Sequence, residues 1–248
     1  MDKFTSDWHL GHDNLYDESK GIENRIPLKN SKNADELLRK NIQESCTVKD
    51  TIHVLGDITI DEEPENVFKF IKSLPGNYIF YEGNHDRSQL INYLKKNNYI
   101  YNGKPKMEFK IAGKLKYNKK VYLLTHYPLD VGPRDNRYNI HGHIHGNVSN
   151  YFKHINVCID SPEIPSDIPY GKPLTFKEVE KMVEEKAKQL EKKPVYIAWS
   201  PYLGSHIVTY KKYTNLFWRF QLCDKRGNAF GKIMWAGSKH NYFDWKKI

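Results

Sequence analysis

The 248-residue chain has no long apolar run, few cysteines and almost no acidic residues in its last quarter. No stretch reaches the roughly eighteen apolar residues that a membrane-spanning helix needs, so such a helix is excluded. The opening residues, MDKFTSDWHL, hold no basic segment followed by an apolar one, so no secretory leader is expected. The three cysteines, Cys46, Cys158 and Cys223, are far apart and odd in number. That excludes a disulfide framework and fits a reducing compartment, so a cytoplasmic location and no membrane partner are expected.

Acidic residues are scarcest where aromatics are densest. Residues 194–248 contain nine Lys and Arg against two Asp, while the first 193 residues are nearly balanced. Most of the formal charge of +9 therefore belongs to the tail, which also holds four of the five tryptophans. Such a segment attracts polyanions, or forms a solvated basic surface.

Strand-like and helix-like runs alternate through the first 160 residues. TIHVLGD (51–57), NYIFYEGN (77–84), KKVYLLTHY (119–127) and INVCID (155–160) read as strands. Between them, 33–46 places Leu37, Leu38 and Ile42 on one helical face, and 63–74 does so with Val67, Phe70, Ile71 and Leu74. Residues 87–98 read the same way. Strand alternating with helix predicts a layered α/β protein. The clearest helix is 174–193, with a Thr175/Glu178 capping box, a stripe of Phe176, Val179, Val183, Ala187 and Leu190, and Pro194 as the stop. Beyond it, short branched and aromatic runs predict a small β-rich appendage, with CDKRGN (223–228) as a hairpin turn. The expected division is 1–173, a helical linker 174–193, and a basic, aromatic β-rich module 194–248.

Polar residues with ligand chemistry sit where the strand-like runs end. They are Asp7 and His9, Asp57, Asn84 with His85, His126, and His143 with His145. In open α/β sheets the carboxyl ends of strands are where sites assemble. Carboxylates, imidazoles and one amide oxygen, without thiolate, suit borderline divalent metals such as Mn, Fe or Zn. Even seven of these eight as ligands exceed one tetrahedral site and suit two ions sharing a carboxylate. Each fragment alone is weak, since a Gly-Asp pair is more often a turn.

The ordered set is more specific. Asp7-x-His9, Gly56-Asp57, Gly83-Asn84-His85-Asp86, His126 and Gly142-His143-x-His145 resemble the signature of the calcineurin-like metallophosphoesterases, over about residues 1–165. TSDWHLGHDN (5–14) and HYPLD (126–130) are similar to small phage- or bacterium-encoded members, for which a cytoplasmic location becomes the host cytoplasm. The resemblance implies a layered β-sandwich flanked by helices and two divalent ions, Mn, Fe, Zn or Ni, with Mn first among them for activity. It implies that Asp7, His9 and His145 hold one ion, that Asn84, His126 and His143 hold the other, and that Asp57 bridges them. It further implies that His85 is the acid for the leaving group and that Asp86 orients it. Gly83 and Gly142 are expected to permit sharp turns.

Substrate contacts are expected from residues near these motifs: His12 and Asn14 after the first pair, Arg87 after the third, and Arg134 and Arg137 before the last. The loop after HYPL lacks an aromatic found in similar small members. The expected reaction is hydrolysis of a nucleotide or nucleic-acid phosphodiester by a metal-bridging hydroxide. A phosphomonoesterase, or a nucleic-acid- or partner-binding protein on this scaffold, are the alternatives. Cations interleaved with rings in YKKYTNLFWRF (210–220) suit single-stranded nucleic acid, although alternation assigns Leu216, Trp218, Phe220 and Leu222 to a core face.

Overall fold

The computed structural model describes residues 1–19, 21–132, 134–149, 151–191, 196–200, 205–212, 218–223, 229–236 and 244–247, with side chains up to residue 188. In chain order, β1 (Asp2–Thr5), α1 (Ser31–Ser45), β2 (Thr51–Val54), α2 (Pro64–Lys72), β3 (Asn77–Tyr81) and α3 (Ser88–Lys96) come first. A short ribbon follows, β4 (Ile100–Tyr101) with β5 (Lys104–Pro105), and then β6 (Met107–Lys110), β7 (Gly113–Tyr117), β8 (Lys120–Leu124), β9 (Arg137–His141) and β10 (His154–Asn156). β11 (Leu174–Thr175) leads into α4 (Phe176–Glu191). The tail holds β12 (Tyr196–Ser200), β13 (Ser205–Lys212), β14 (Trp218–Cys223), β15 (Ala229–Ala236) and β16 (Asp244–Lys247).

One sheet has the order β11-β1-β2-β3-β6, and a second has the order β10-β9-β8-β7. In the first, β1, β2, β3 and β6 are parallel, with Phe4 opposite His53 and Val54 opposite Phe80. In the second, β8, β9 and β10 are parallel and β7 is an antiparallel hairpin partner of β8. Parallel strands bring their carboxyl ends to one edge, so the loops after β1, β2 and β3 leave one sheet together and those after β8, β9 and β10 leave the other. The two edges meet: Ser6, just past β1, bridges Cys158, just past β10.

Three helices bury one face of the first sheet. Leu38 and Ile42 of α1, Val67, Phe70 and Ile71 of α2, and Leu90 and Leu94 of α3 pack with Ile52, Val54, Tyr78 and Phe80. Each such side chain contributes about 1.5–3 kcal/mol on burial. The capping box forms as the sequence predicts: Thr175 N donates to Glu178 Oε2 at 2.8 Å, and Glu178 N donates to Thr175 Oγ1 at 3.3 Å. Phe176 then packs its ring on Phe4, Tyr117 and Tyr122. No helix among the described residues is long and apolar enough to cross a membrane.

The chain forms two compact units, Met1–Val148 with Lys153–Met182, and Ser149–Phe152 with Val183–Ile248. The division falls inside α4. The second unit carries a five-stranded sheet of order β15-β14-β13-β12-β16, its pairs all antiparallel. β14 pairs with β15 as a hairpin requires, while residues 224–228 of the expected turn at 223–228 lie outside the described residues.

Candidate metal centre

The first candidate ligands flank an anchor. Trp8 is fully buried and meets Tyr78 and Phe80 edge-on at 6.1 Å each. Asp7 and His9 on either side turn away from that cluster, both in the left-handed region with φ of 58° and 48°. Asp57, His143 and His145 share this conformation, at 55°, 70° and 47°. L residues adopt it at a cost of order 1–3 kcal/mol, and such strain concentrates at functional sites. Five of the seven candidate ligands carry it.

The structure brings these seven residues together. Oδ1 of Asp7 lies 3.8 Å from His9 Nε2 and 3.6 Å from His145 Nε2. Oδ2 of Asp57 lies 3.6 Å from His9 Nε2 and 3.5 Å from His126 Nε2, so one carboxylate oxygen stands between two imidazoles. Oδ1 of Asn84 sits 2.8 Å from His126 Nε2 and 2.9 Å from His143 Nδ1. Donor atoms of Asp7, His9 and His145 fall within 4.8 Å of one another, and so do those of Asp7, Asp57 and His126.

Hydrogen bonds behind this set decide which atoms face inward. His126 Nδ1 contacts the Leu55 carbonyl at 2.8 Å, which places its proton there and leaves Nε2 a bare lone pair toward Asp57 and Asn84. His145 Nδ1 meets Asp160 Oδ2 at 2.9 Å, which turns its Nε2 toward Asp7. The His143 backbone N–H is shared by Asp7 Oδ2 at 3.0 Å and Oδ1 at 3.2 Å, while the Cys158 thiol donates to Oδ2 at 3.0 Å, and Oδ1 is the oxygen facing His9 and His145. Both nitrogens of His9 are buried without a hydrogen-bond partner. Burial pushes its pKa down to about 2, with Arg25 and the neighbouring histidines adding to the effect, so the ring is neutral and keeps a lone pair. An orphaned buried imidazole among carboxylate oxygens fits a divalent cation, as does the oxygen and nitrogen donor set.

Arg25 and Asp160 are parts that sequence reasoning missed. Arg25 is fully buried, and its Nε donates to Asp160 Oδ2 at 2.5 Å. Its guanidinium also donates to the carbonyls of Asp7 and Trp8, holding the strained ligand turn from beneath. Burial alone raises the Asp160 pKa, yet Arg25 and His145 outweigh it and hold the carboxyl at about 2.

Asp86 requires a correction. Its Oδ2 accepts the backbone N–H groups of Asp57 and Gly83, and its Oδ1 accepts that of Ile58, each at 2.9 Å. Those bonds tie two ligand loops together, and the His85 ring is not among the hydrogen-bond partners of this carboxylate. Burial pushes its pKa up to about 6, against the pull of the three N–H donors. His85 itself is exposed, with its ring centroid 5.5 Å from that of His9 and its backbone N–H on Asp57 Oδ1 at 2.9 Å.

Gly83 and Gly142 also act differently from expectation, since neither has a positive φ. A Cβ on Gly83 would collide with the backbone and carboxylate of Asp57, and one on Gly142 would collide with Ser6 and Asp7. They permit close approach of loops rather than a turn conformation.

The outlying residues divide. His12 is half-buried, its ring 6.2 Å from that of His9 and its Nδ1 3.6 Å from Asp61 Oδ2. Arg87 starts α3 and reaches Asp61 Oδ1 at 3.4 Å, on a cleft it shares with His85, Thr59 and Glu62. Asn14 is exposed on the 3-10 turn Asp13–Tyr16. Arg134 and Arg137 do not reach the site. Residues 137–141 form a strand rather than a loop, and Arg137 begins it. His143 follows that strand's other end, roughly 13 Å further on at about 3.3 Å per residue. Arg134 bonds the Arg137 N–H and the Lys153 ammonium through its carbonyl, at the same far end.

The model of the calcineurin-like phosphoesterases matches residues 3–200 of the chain. An uncharacterized protein of Methanocaldococcus jannaschii is 24% identical over 188 residues, spanning 73% of this chain and 89% of its own. Among solved structures, a protein of unknown function from Aquifex aeolicus is 24% identical with a TM-score of 0.51, covering 73% of this chain and 98% of its own. That likeness is one of fold. An archaeal protein described as a phosphodiesterase is 17% identical with a TM-score of 0.35, covering 64% of this chain and 83% of its own.

Proposed function

Because the chain belongs to the calcineurin-like phosphoesterase family, whose members are metal-dependent hydrolases, we propose that it is a two-metal phosphodiesterase acting on a nucleotide or nucleic-acid phosphodiester. The observation that carries the two-ion reading is Asp57 Oδ2, placed 3.6 Å from His9 Nε2 and 3.5 Å from His126 Nε2. Asp7, His9 and His145 would hold one ion, Asn84, His126 and His143 the other, and Asp57 would be shared. When bound, two divalent ions supply positive charge for the phosphoryl oxygens and acidify a water for attack on phosphorus. Manganese is the ion proposed for activity, with iron, zinc and nickel as substitutes.

The protein's own groups do the rest. His85, exposed beside His9, donates a proton to the leaving oxygen. The Asp57 carboxylate fixes the His85 backbone, and Asp86 locks both loops, so the ring stands at a set distance from the centre. Asn84 contributes a neutral oxygen, which leaves more charge on its ion than a carboxylate would. The basic, aromatic tail supports a nucleotide-type substrate, since cations attract phosphates and ring faces attract bases. A cytoplasmic location accords with free Cys46 and Cys158.

Chelator-stripped protein reloaded with manganese should hydrolyse bis(p-nitrophenyl) phosphate, and EDTA should abolish this. His85→Ala should keep its metal content while slowing substrates with poor alkoxide leaving groups by roughly 10²–10⁴-fold, and p-nitrophenyl esters less. Absence of hydrolysis of any monoester or diester with Mn, Fe, Zn or Ni would overturn the enzyme reading. Cleavage of monoesters alone would replace it by the phosphomonoesterase.

A further inference from the structure

Tyr127 is a large aromatic left 52% exposed beside the candidate metal centre. Its ring lies 4.4 Å from that of His143, tilted to it, and 5.0 Å from that of His126, edge-on to it. The backbone beneath it is held. The Thr125 hydroxyl donates to the Tyr127 carbonyl at 2.7 Å, and accepts from Asn139 Nδ2 at 2.8 Å. The same Asn139, fully buried, takes the Leu129 N–H on its Oδ1 at 2.6 Å. A buried amide therefore holds the backbone of this turn from both sides, and the half-exposed ring leans on His143 and His126.

The two flanks of the centre differ. His85 and His12 stand beside His9, on the side of Asp7 and His145. Tyr127 stands against His126 and His143, the other pair of imidazoles. Under the proposed function, a phosphoryl group held at the centre with its leaving oxygen toward His85 leaves its other ester substituent free to lie toward Tyr127. Only a diester has that substituent.

We propose that Tyr127 walls a subsite for the retained group of the phosphodiester, and that the group it takes is a nucleobase or a comparable flat aromatic ring. This rests on the phosphodiesterase reading above. Tyr127 offers a ring face or edge to such a group, and it is a specificity determinant that touches no reacting atom. A monoester whose single ester group is the leaving group, or a diester retaining only a methyl group, leaves the subsite empty, whereas a nucleoside monophosphate product keeps its base there.

Two substrates with the same leaving group isolate the effect: the p-nitrophenyl ester of thymidine 5′-monophosphate, and methyl p-nitrophenyl phosphate. With manganese-loaded protein, Tyr127→Ala should lower kcat/KM for the thymidine ester by about 5- to 150-fold, the range for loss of one base–aromatic stack, and leave the methyl ester unchanged. Tyr127→Phe should restore the thymidine ester. Calorimetric binding gives a second readout: Tyr127→Ala should weaken thymidine 5′-monophosphate and leave inorganic phosphate and manganese affinity unchanged. Equal losses on both esters, or weakened manganese binding, would mean that Tyr127 only packs His143, and would overturn the subsite. No loss on either ester would overturn it too. If wild-type protein cleaves neither ester yet binds the nucleotide through Tyr127, the subsite stands and the phosphodiesterase reading falls.

Discussion

Replacing Asp160 separates the two tasks of a buried carboxylate. It faces the Arg25 guanidinium at 2.5 Å and the His145 ring at 2.9 Å, with no exposed side-chain surface. Asp160→Ala leaves Arg25 as an uncompensated buried cation, which costs about 3–5 kcal/mol. For a chain of this size that corresponds to a fall in Tm of roughly 6–20 °C. The same change frees the His145 ring, and loss of such a partner behind a metal ligand costs about 10–100-fold in metal affinity. Asp160→Asn removes the charge but keeps an oxygen that accepts the His145 Nδ1 proton. It should therefore lose stability nearly as Ala does, yet lose much less metal affinity. The assays are urea and thermal unfolding in EDTA, and chelator competition for manganese. The pH dependence has a definite sign. Burial favours the neutral acid, but Arg25 and His145 hold the folded-state pKa at about 2, below the ordinary 3.8. The stabilisation is complete above the unfolded pKa and is lost as pH falls from about 4 toward 2. If Asp160→Ala unfolds within about 0.5 kcal/mol of wild type and binds manganese equally well, the role given to this network is wrong.

Gly142→Ala should destabilise the protein by about 1–3 kcal/mol and weaken manganese binding, because the new methyl group would press on Ser6 and on the Asp7 carboxylate; unfolding and metal titration of the variant measure both. Asp35 gives a pH signature of opposite sign to Asp160, since burial raises its pKa to about 7. The Asp35 contribution to the stability of metal-free protein should be lost as pH rises from about 4 to about 7, so the stability of Asp35→Asn relative to wild type, read by denaturation, should rise across that range.

Much of the site was legible because parallel strands convert sequence order into spatial convergence. Asp7, Asp57, Asn84, His126 and His143 each follow a short branched or aromatic run, and such runs ending in ligands predict a shared edge. The capping box of α4 was readable for a similar reason, since both partners lie within four residues. What escaped depended on distance or on burial. Arg25 and Asp160 are 135 residues apart, and neither belongs to a motif. A lone Arg in a loop reads as solvated until the fold places a carboxylate and two carbonyls around it. Asp86 was legible as a site residue but not in its role, because its partners are backbone groups, which sequence does not display. Arg134 and Arg137 misled by adjacency to the last motif, since the strand between them and His143 carries the chain across the sheet. In the tail, four strands were visible as branched and aromatic runs, whereas β16, with only Trp245 between charged residues, gave no such signal.

The most direct measurement of the central claim is the stoichiometry of manganese in chelator-stripped protein, by calorimetry or equilibrium dialysis, for wild type and Asp57→Asn. Two ions per chain, both bound more weakly in Asp57→Asn, is the predicted result. A single ion, or two whose affinities the substitution leaves unchanged, would contradict a centre built around a shared Asp57 carboxylate.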